Sequence, residues 1–157
     1  MASGKAHVTA TVLLTPLTAA VAWQLTDGDL ATTILASAGC FSGIVISPDL
    51  DLGGRTISEV IAIKWMGALG WLWVLLWAPY ARVYKHRGIS HVPLVGTATR
   101  VLYLALCYVV IHCVLQQFHT VNLLAWPQIY WQHLAIGVAG LSVSDIGHWV
   151  LDDFDWR

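Results

Sequence analysis

Four runs of this chain, residues 8–25, 30–46, 101–118 and 129–151, are apolar almost throughout, and Asp145 is the one acidic or basic side chain of the Asp, Glu, Lys and Arg class within them. Each is about as long as a helix needs to cross ~30 Å of hydrocarbon at ~1.5 Å per residue. Such runs leave few ways to fold. In a bilayer every backbone N–H and C=O must be satisfied internally, which selects helices or a closed barrel. Runs of this length and without strict alternation select helices. Composition agrees. Of the 157 residues, 57% are hydrophobic and only 11% charged, against ~25% charged in soluble domains. The expected fold is therefore all-α, a single integral membrane domain over residues 1–157 with about four transmembrane helices.

Turn residues divide the runs. Thr26-Asp27-Gly28-Asp29 is a tight polar link between the first two, with the Gly and Asp that turns favour. A second short connection passes through Asn122 and Trp126-Pro127. A fifth apolar stretch, residues 60–77, carries Lys64 and four tryptophans, Trp65, Trp71, Trp73 and Trp77. Trp favours the membrane–water interface, where ring and N–H are both satisfied. If this stretch is interfacial or re-entrant, Lys5, Arg55, Lys64, Arg82, Lys85, Arg87, Arg100 and Arg157 all fall on one side and only Asp27 and Asp29 on the other. That is a positive-inside pattern with both termini cytoplasmic. If it spans, the asymmetry collapses. We therefore expect an interfacial or re-entrant Trp-rich helix, and a retained first span rather than a signal peptide. A net charge of −1 offers no basic footprint for nucleic acid. Cys40, Cys107 and Cys113 lie in apolar runs without ligand spacing and read as packing residues.

The same topology gathers the unusual polar residues at one membrane face. His7 precedes the first run, and Ser47-Pro48-Asp49-Leu50-Asp51 follows the second. His86-Arg87-Gly88-Ile89-Ser90-His91 precedes the third, and Asp145, His148 and Asp152 end the fourth. The last three are spaced i, i+3, i+7, on one helical face. Neutral His with carboxylates is a ligand set for Zn, Mn or Fe, and the lack of thiolates disfavours the softest metals. Ionisable groups at membrane depth are costly unless paired or metal-bound. The expected ligands are His7, Asp49, Asp51, His86, His91, Asp145 and His148. They exceed the four that saturate tetrahedral Zn, so one or two divalent ions are expected. Arg87 and Asp152 are expected to serve catalysis, Arg87 as a clamp on phosphoryl oxygens. His112, His119, His133, Gln116, Gln117 and Gln132 read as structural hydrogen-bonding groups.

The ordered set Ser3-Gly4-Lys5-Ala6-His7, Ser47-Pro48-Asp49-Leu50-Asp51, His86-Arg87-Gly88-Ile89-Ser90-His91 and Ser144-Asp145-x-x-His148 resembles a bacterial membrane family of uncharacterised metal-binding proteins. It looks related to the LexA-regulated inner-membrane metal-dependent hydrolases. The resemblance covers nearly the whole chain. It implies a four-span bundle in the bacterial inner membrane, a metal site built from these His and Asp residues, and hydrolase activity. The expected function is thus a metal-dependent hydrolase at the cytoplasmic face, acting on a phosphoester such as a lipid phosphate, with membrane lipid as its surroundings. The alternative is a non-enzymatic metal-binding scaffold or assembly factor. A membrane di-iron oxidase is disfavoured because no adjacent His-His pair occurs, and a transporter because no charge path crosses the bundle.

Overall fold

The computed structural model describes residues 3–52, 56–86, 88–117 and 130–152; among them are six α-helices and no strand. The first helix, α1, runs Gly4–Leu25, and the Ser3 side chain caps it by accepting from the Ala6 N–H. Asp27 and Gly28 take left-handed φ angles of 50° and 86° and turn the chain. Asp29 then caps α2, Leu30–Ser42, accepting from the Thr32 N–H at 2.8 Å. The expected helical hairpin is present, but α2 is shorter than the apolar run. Its 13 residues reach only ~20 Å at ~1.5 Å per residue. The cause lies downstream: a residue before proline is driven out of the α region, and Ser47, before Pro48, is extended at φ −79° and ψ 152°. Residues 43–46 are spent on the approach to that turn. Among the described residues three helices, not four, are long and apolar enough to cross a membrane: α1, α5 (Val95–Gln117) and α6 (Trp131–Leu151).

The Trp-rich stretch is two helices rather than one. Helix α3, Ile57–Met66, opens with a capping box between Thr56 and Glu59, and α4 runs Leu69–Val83. Gly67 separates them at φ 58°, a conformation glycine tolerates without steric cost. The two helices pack on each other, each too short to cross, with Trp65, Leu69, Trp71, Leu72 and Leu75 facing outward.

Helices α1, α2 and α6 form the tightest part of the bundle. A Cβ added at Gly39 would lie 2.0 Å from the Gly137 carbonyl oxygen, and one at Gly140 would lie 2.0 Å from that of Ala36. The backbones of α2 and α6 thus touch, as small residues allow in membrane helices. Thr11 of α1 and Ser144 of α6 share a buried hydrogen bond of 2.8 Å. Leu13, Leu17, Leu102 and Leu106 point outward, as an apolar solvent permits. At one end, a 3₁₀ turn at Pro48–Asp51 sits on a core of Leu50, Trp77 and Tyr80. A second 3₁₀ turn, Ile89–His91, precedes α5. Helix α5 begins at Val95, before the expected start at 101, so Arg100 is inside the helix and fully buried. It is not a loop charge and adds nothing to the charge asymmetry of the termini and loops. The second expected connection, through Asn122 and Trp126-Pro127, lies outside the described residues, as do Arg55, Arg87 and Arg157.

Candidate metal centre

The separated motifs meet at one end of the bundle. His7 comes from the first turns of α1, while His148 and Asp152 come from the end of α6. Asp49 stands on the first 3₁₀ turn, whose backbone is fixed by the Ser47 hydroxyl accepting from the Asp49 N–H at 3.2 Å. His86 follows α4, and His91 ends the second 3₁₀ turn. The four rings are consecutive neighbours. Centroids are 5.0 Å apart for His86 and His91, 5.6 Å for His91 and His148, and 3.6 Å for the stacked His148 and His7.

Two sets of side chains can each hold an ion: His7, His148 and Asp152, and Asp49, His86 and His91, the ligand atoms of each set lying within 4.8 Å of one another. In the first, the two carboxylate oxygens of Asp152 lie 3.4 Å from His7 Nε2 and 3.6 Å from His148 Nε2. Asp49 joins the two sets. Its Oδ1 lies 3.5 Å from His91 Nε2 and 3.4 Å from His148 Nε2. Burial pushes the Asp49 carboxyl up, but the neighbouring His148 and His91 rings outweigh it and hold the group well below the usual carboxylate range.

Asp51 and Asp145, both expected as ligands, are placed otherwise. Asp51 is in neither set. Its Oδ1 accepts from His86 Nδ1 at 2.7 Å, and its Oδ2 lies 3.2 Å from His91 Nδ1 and accepts from the Ser90 hydroxyl. That leaves Nε2 of both rings for an ion. A carboxylate behind a ligating imidazole fixes its tautomer and raises its basicity. Burial pushes Asp51 up too, but His91, Ser90 and His86 together hold it below its ordinary value. In His91 burial favours the neutral ring, yet Asp49 and Asp51 prevail and raise its pKa to about 9. Asp145 sits a helical turn deeper than His148. There its Oδ2 accepts from Arg100 and from the Thr97 hydroxyl of α5, while its Oδ1 is buried without a hydrogen-bond partner. Asp152, expected to serve catalysis, lies with His7 and His148 in the first of the two sets that could hold an ion. Arg87, the other expected catalytic residue, lies outside the described residues.

Sequence reasoning missed Arg100, Thr97 and the ordering role of Ser90. For Arg100 a signal existed: an Asp inside an apolar run requires a partner, and Arg100 stands one residue before the expected third span. His112 and Gln116 are hydrogen-bonded to each other at 2.9 Å within α5, in keeping with the structural role expected of them. His119 lies outside the described residues.

The model of a family described as uncharacterized metal-binding protein (DUF2227) matches residues 2–156. The chain belongs to that family. Comparison with curated proteins and with solved structures finds no match. The residues fit the metal that the family description implies. His91 Nε2, His148 Nε2 and His7 Nδ1 are buried without a hydrogen-bond partner, a state native interiors avoid. The first two face carboxylate oxygens across 3.4–3.6 Å, gaps a divalent cation would turn from unpaired contacts into ligation. A set of His and carboxylate, without Cys, suits a borderline or hard divalent ion.

Proposed function

We propose that this member of the family is a metal-dependent hydrolase that cleaves a phosphoester of an amphiphilic substrate at the cytoplasmic face of the bacterial inner membrane, with both termini cytoplasmic. One or two divalent ions, Zn, Mn or Fe, are held by His7, His148 and Asp152 and by Asp49, His86 and His91. Asp49 carries the reading, because its Oδ1 stands between the two ligand sets and belongs to the exposed one, where an ion and a substrate can meet. An ion there supplies Lewis acidity toward the phosphoryl oxygens and lowers the pKa of water.

The rest is done by the chain. Asp51 fixes the tautomers of His86 and His91. The His86 side chain is 34% exposed and that of Asp49 19%, so a substrate can reach this set from solvent. Arg87, next to His86, neutralises charge on the phosphoryl oxygens. The exposed apolar surface of the helices that lead away from the site favours a substrate with an apolar tail. The test is phosphate release from a lipid phosphate by detergent-purified protein supplied with Mn2+ or Zn2+. Turnover that needs the metal and is lost in Asp49→Ala and His86→Ala is expected. Turnover indifferent to both substitutions would show that this site is not the catalyst.

A specific feature favours a second reading, a metal-binding scaffold or assembly factor. His7, His148 and Asp152 are each 8% exposed or less and connect the first helix to the last. A closed site is characteristic of structural metals. Under this reading metal depletion loosens α1 from α6 and no substrate is turned over.

A further inference from the structure

Arg100 is wholly buried in α5 and belongs to neither ligand set. One amino group, Nη2, donates to Asp145 on α6, and the other, Nη1, donates to the Ser90 carbonyl oxygen at 3.3 Å. Thr97 donates to the same Asp145 oxygen, and Ser142 contacts Thr97 at 3.4 Å. A buried guanidinium needs an acceptor for each amino group, and the acceptor that the second one finds is on the turn that carries His91. A buried ion pair is in any case poor evidence for stability, since removing two charges from water offsets most of their attraction. The second amino group points to another task.

Ser90 is the residue it grips. The Ser90 hydroxyl donates to Asp51 Oδ2, and Asp51 holds the Nδ1 atoms of His86 and His91. A second observation shows how closely the turn is held. A Cβ added at Gly96 would lie 1.9 Å from the Ser90 carbonyl oxygen. The turn therefore lies directly on the first turn of α5, with Arg100 closing over the same oxygen one helical turn on.

We propose that the Arg100–Asp145 pair is a positioning device for the open half of the centre. It fixes the Ser90 carbonyl, and through Ser90 and Asp51 it sets the orientation of the His86 and His91 rings. The hydrogen bonds of Arg100 go to Ser90 and Asp145 and to no residue of the closed set of His7, His148 and Asp152. This rests on the reading that Asp49, His86 and His91 hold an ion.

The test is Co2+ titration of the full chain in detergent, followed by calorimetry and by visible absorption, which reports ligand geometry. The variants are Arg100→Lys, which keeps the charge and loses the fork, and Asp145→Asn, with His86→Ala as the reference. Folding is checked by helical circular dichroism. Orienting groups behind ligands are worth about 10- to 100-fold in metal affinity. Affinity at the open set is expected to fall by at least about tenfold in both variants, with a changed Co2+ spectrum and unchanged binding at the closed set. Gly96→Ala, which leaves the ion pair intact and displaces Ser90, is expected to weaken the same set. If Arg100→Lys and Asp145→Asn both fail to fold, wild-type affinity and spectrum in Gly96→Ala overturn the proposal. So do wild-type values in the folded Arg100→Lys and Asp145→Asn proteins. Failure of the underlying reading looks different: His86→Ala would then bind Co2+ as the wild type does.

Discussion

The two halves of the centre are built differently. His7, His148 and Asp152 come from the ends of two long helices and are almost closed to solvent, whereas Asp49, His86 and His91 come from turns and include the two most exposed ligands. Ligands on packed helices are held by the α1–α6 contact itself, where Thr11 meets Ser144. Ligands on turns need other side chains to hold them, which is where Asp51, Ser90 and Arg100 enter. The difference suits a stabilising ion in the first half and a reactive one in the second, since structural sites are closed and catalytic sites keep an open position.

Asp49→Ala is the harshest challenge to this division, because Asp49 Oδ1 faces both halves. Removing it should lower metal-dependent turnover by more than about 100-fold, beyond the range that orienting groups alone command. Loss confined to one ion, seen in the metal isotherm, would show that the halves are independent. His7→Ala and His86→Ala sharpen the contrast as a pair. His7→Ala should lower thermal stability while much of the turnover survives. With free ion at a thousand times its Kd, the lost linkage is about 4 kcal/mol. His86→Ala should abolish turnover, and its own linkage loss should be the smaller of the two to the extent that the exposed set binds its ion more weakly. A reversed pattern would exchange the two roles.

This contrast was only partly visible in the sequence. The His and Asp motifs could be assigned to one face because helix lengths dictate where each run ends. That made His7, Asp49, His86, His91 and His148 candidates. Which carboxylates ligate could not be read that way. Asp145 and His148 share a helical face, but a partner on α5 decides where Asp145 points. Nor could the length of α2 be read from hydropathy, because it is cut short by the extended residue before Pro48. The break at Gly67 was likewise hidden inside a run of apolar residues, since a single glycine does not by itself end a helix.

A smaller effect separates the halves by pH. In the metal-free protein the raised pKa of His91, about 9, stabilises the fold fully below its ordinary 6.5, and this stabilisation is lost as pH rises through about 9. The lowered Asp49 and Asp51 contribute above the ordinary 3.8 and lose that contribution as pH falls through their depressed values. Ligation requires neutral His91, so metal uptake must release its proton. Affinity at the open set should therefore rise with pH up to about 9, by roughly tenfold per unit for one proton, and calorimetry in buffers of different ionisation heat should count that proton. Affinity at the open set that is flat between pH 6 and 9 would remove His91 from the ligands. Brief chelation gives the smallest contrast: the exposed half should lose its ion sooner than the closed half, in two resolvable phases.

The central claim is that one cluster holds two ions about a shared Asp49. Elemental analysis of the detergent-purified protein, prepared without chelator, tests it most directly. The account predicts two divalent ions per chain in the wild type, one in His7→Ala and one in His86→Ala. Wild-type protein without stoichiometric metal, or the same metal content in all three proteins, would contradict it.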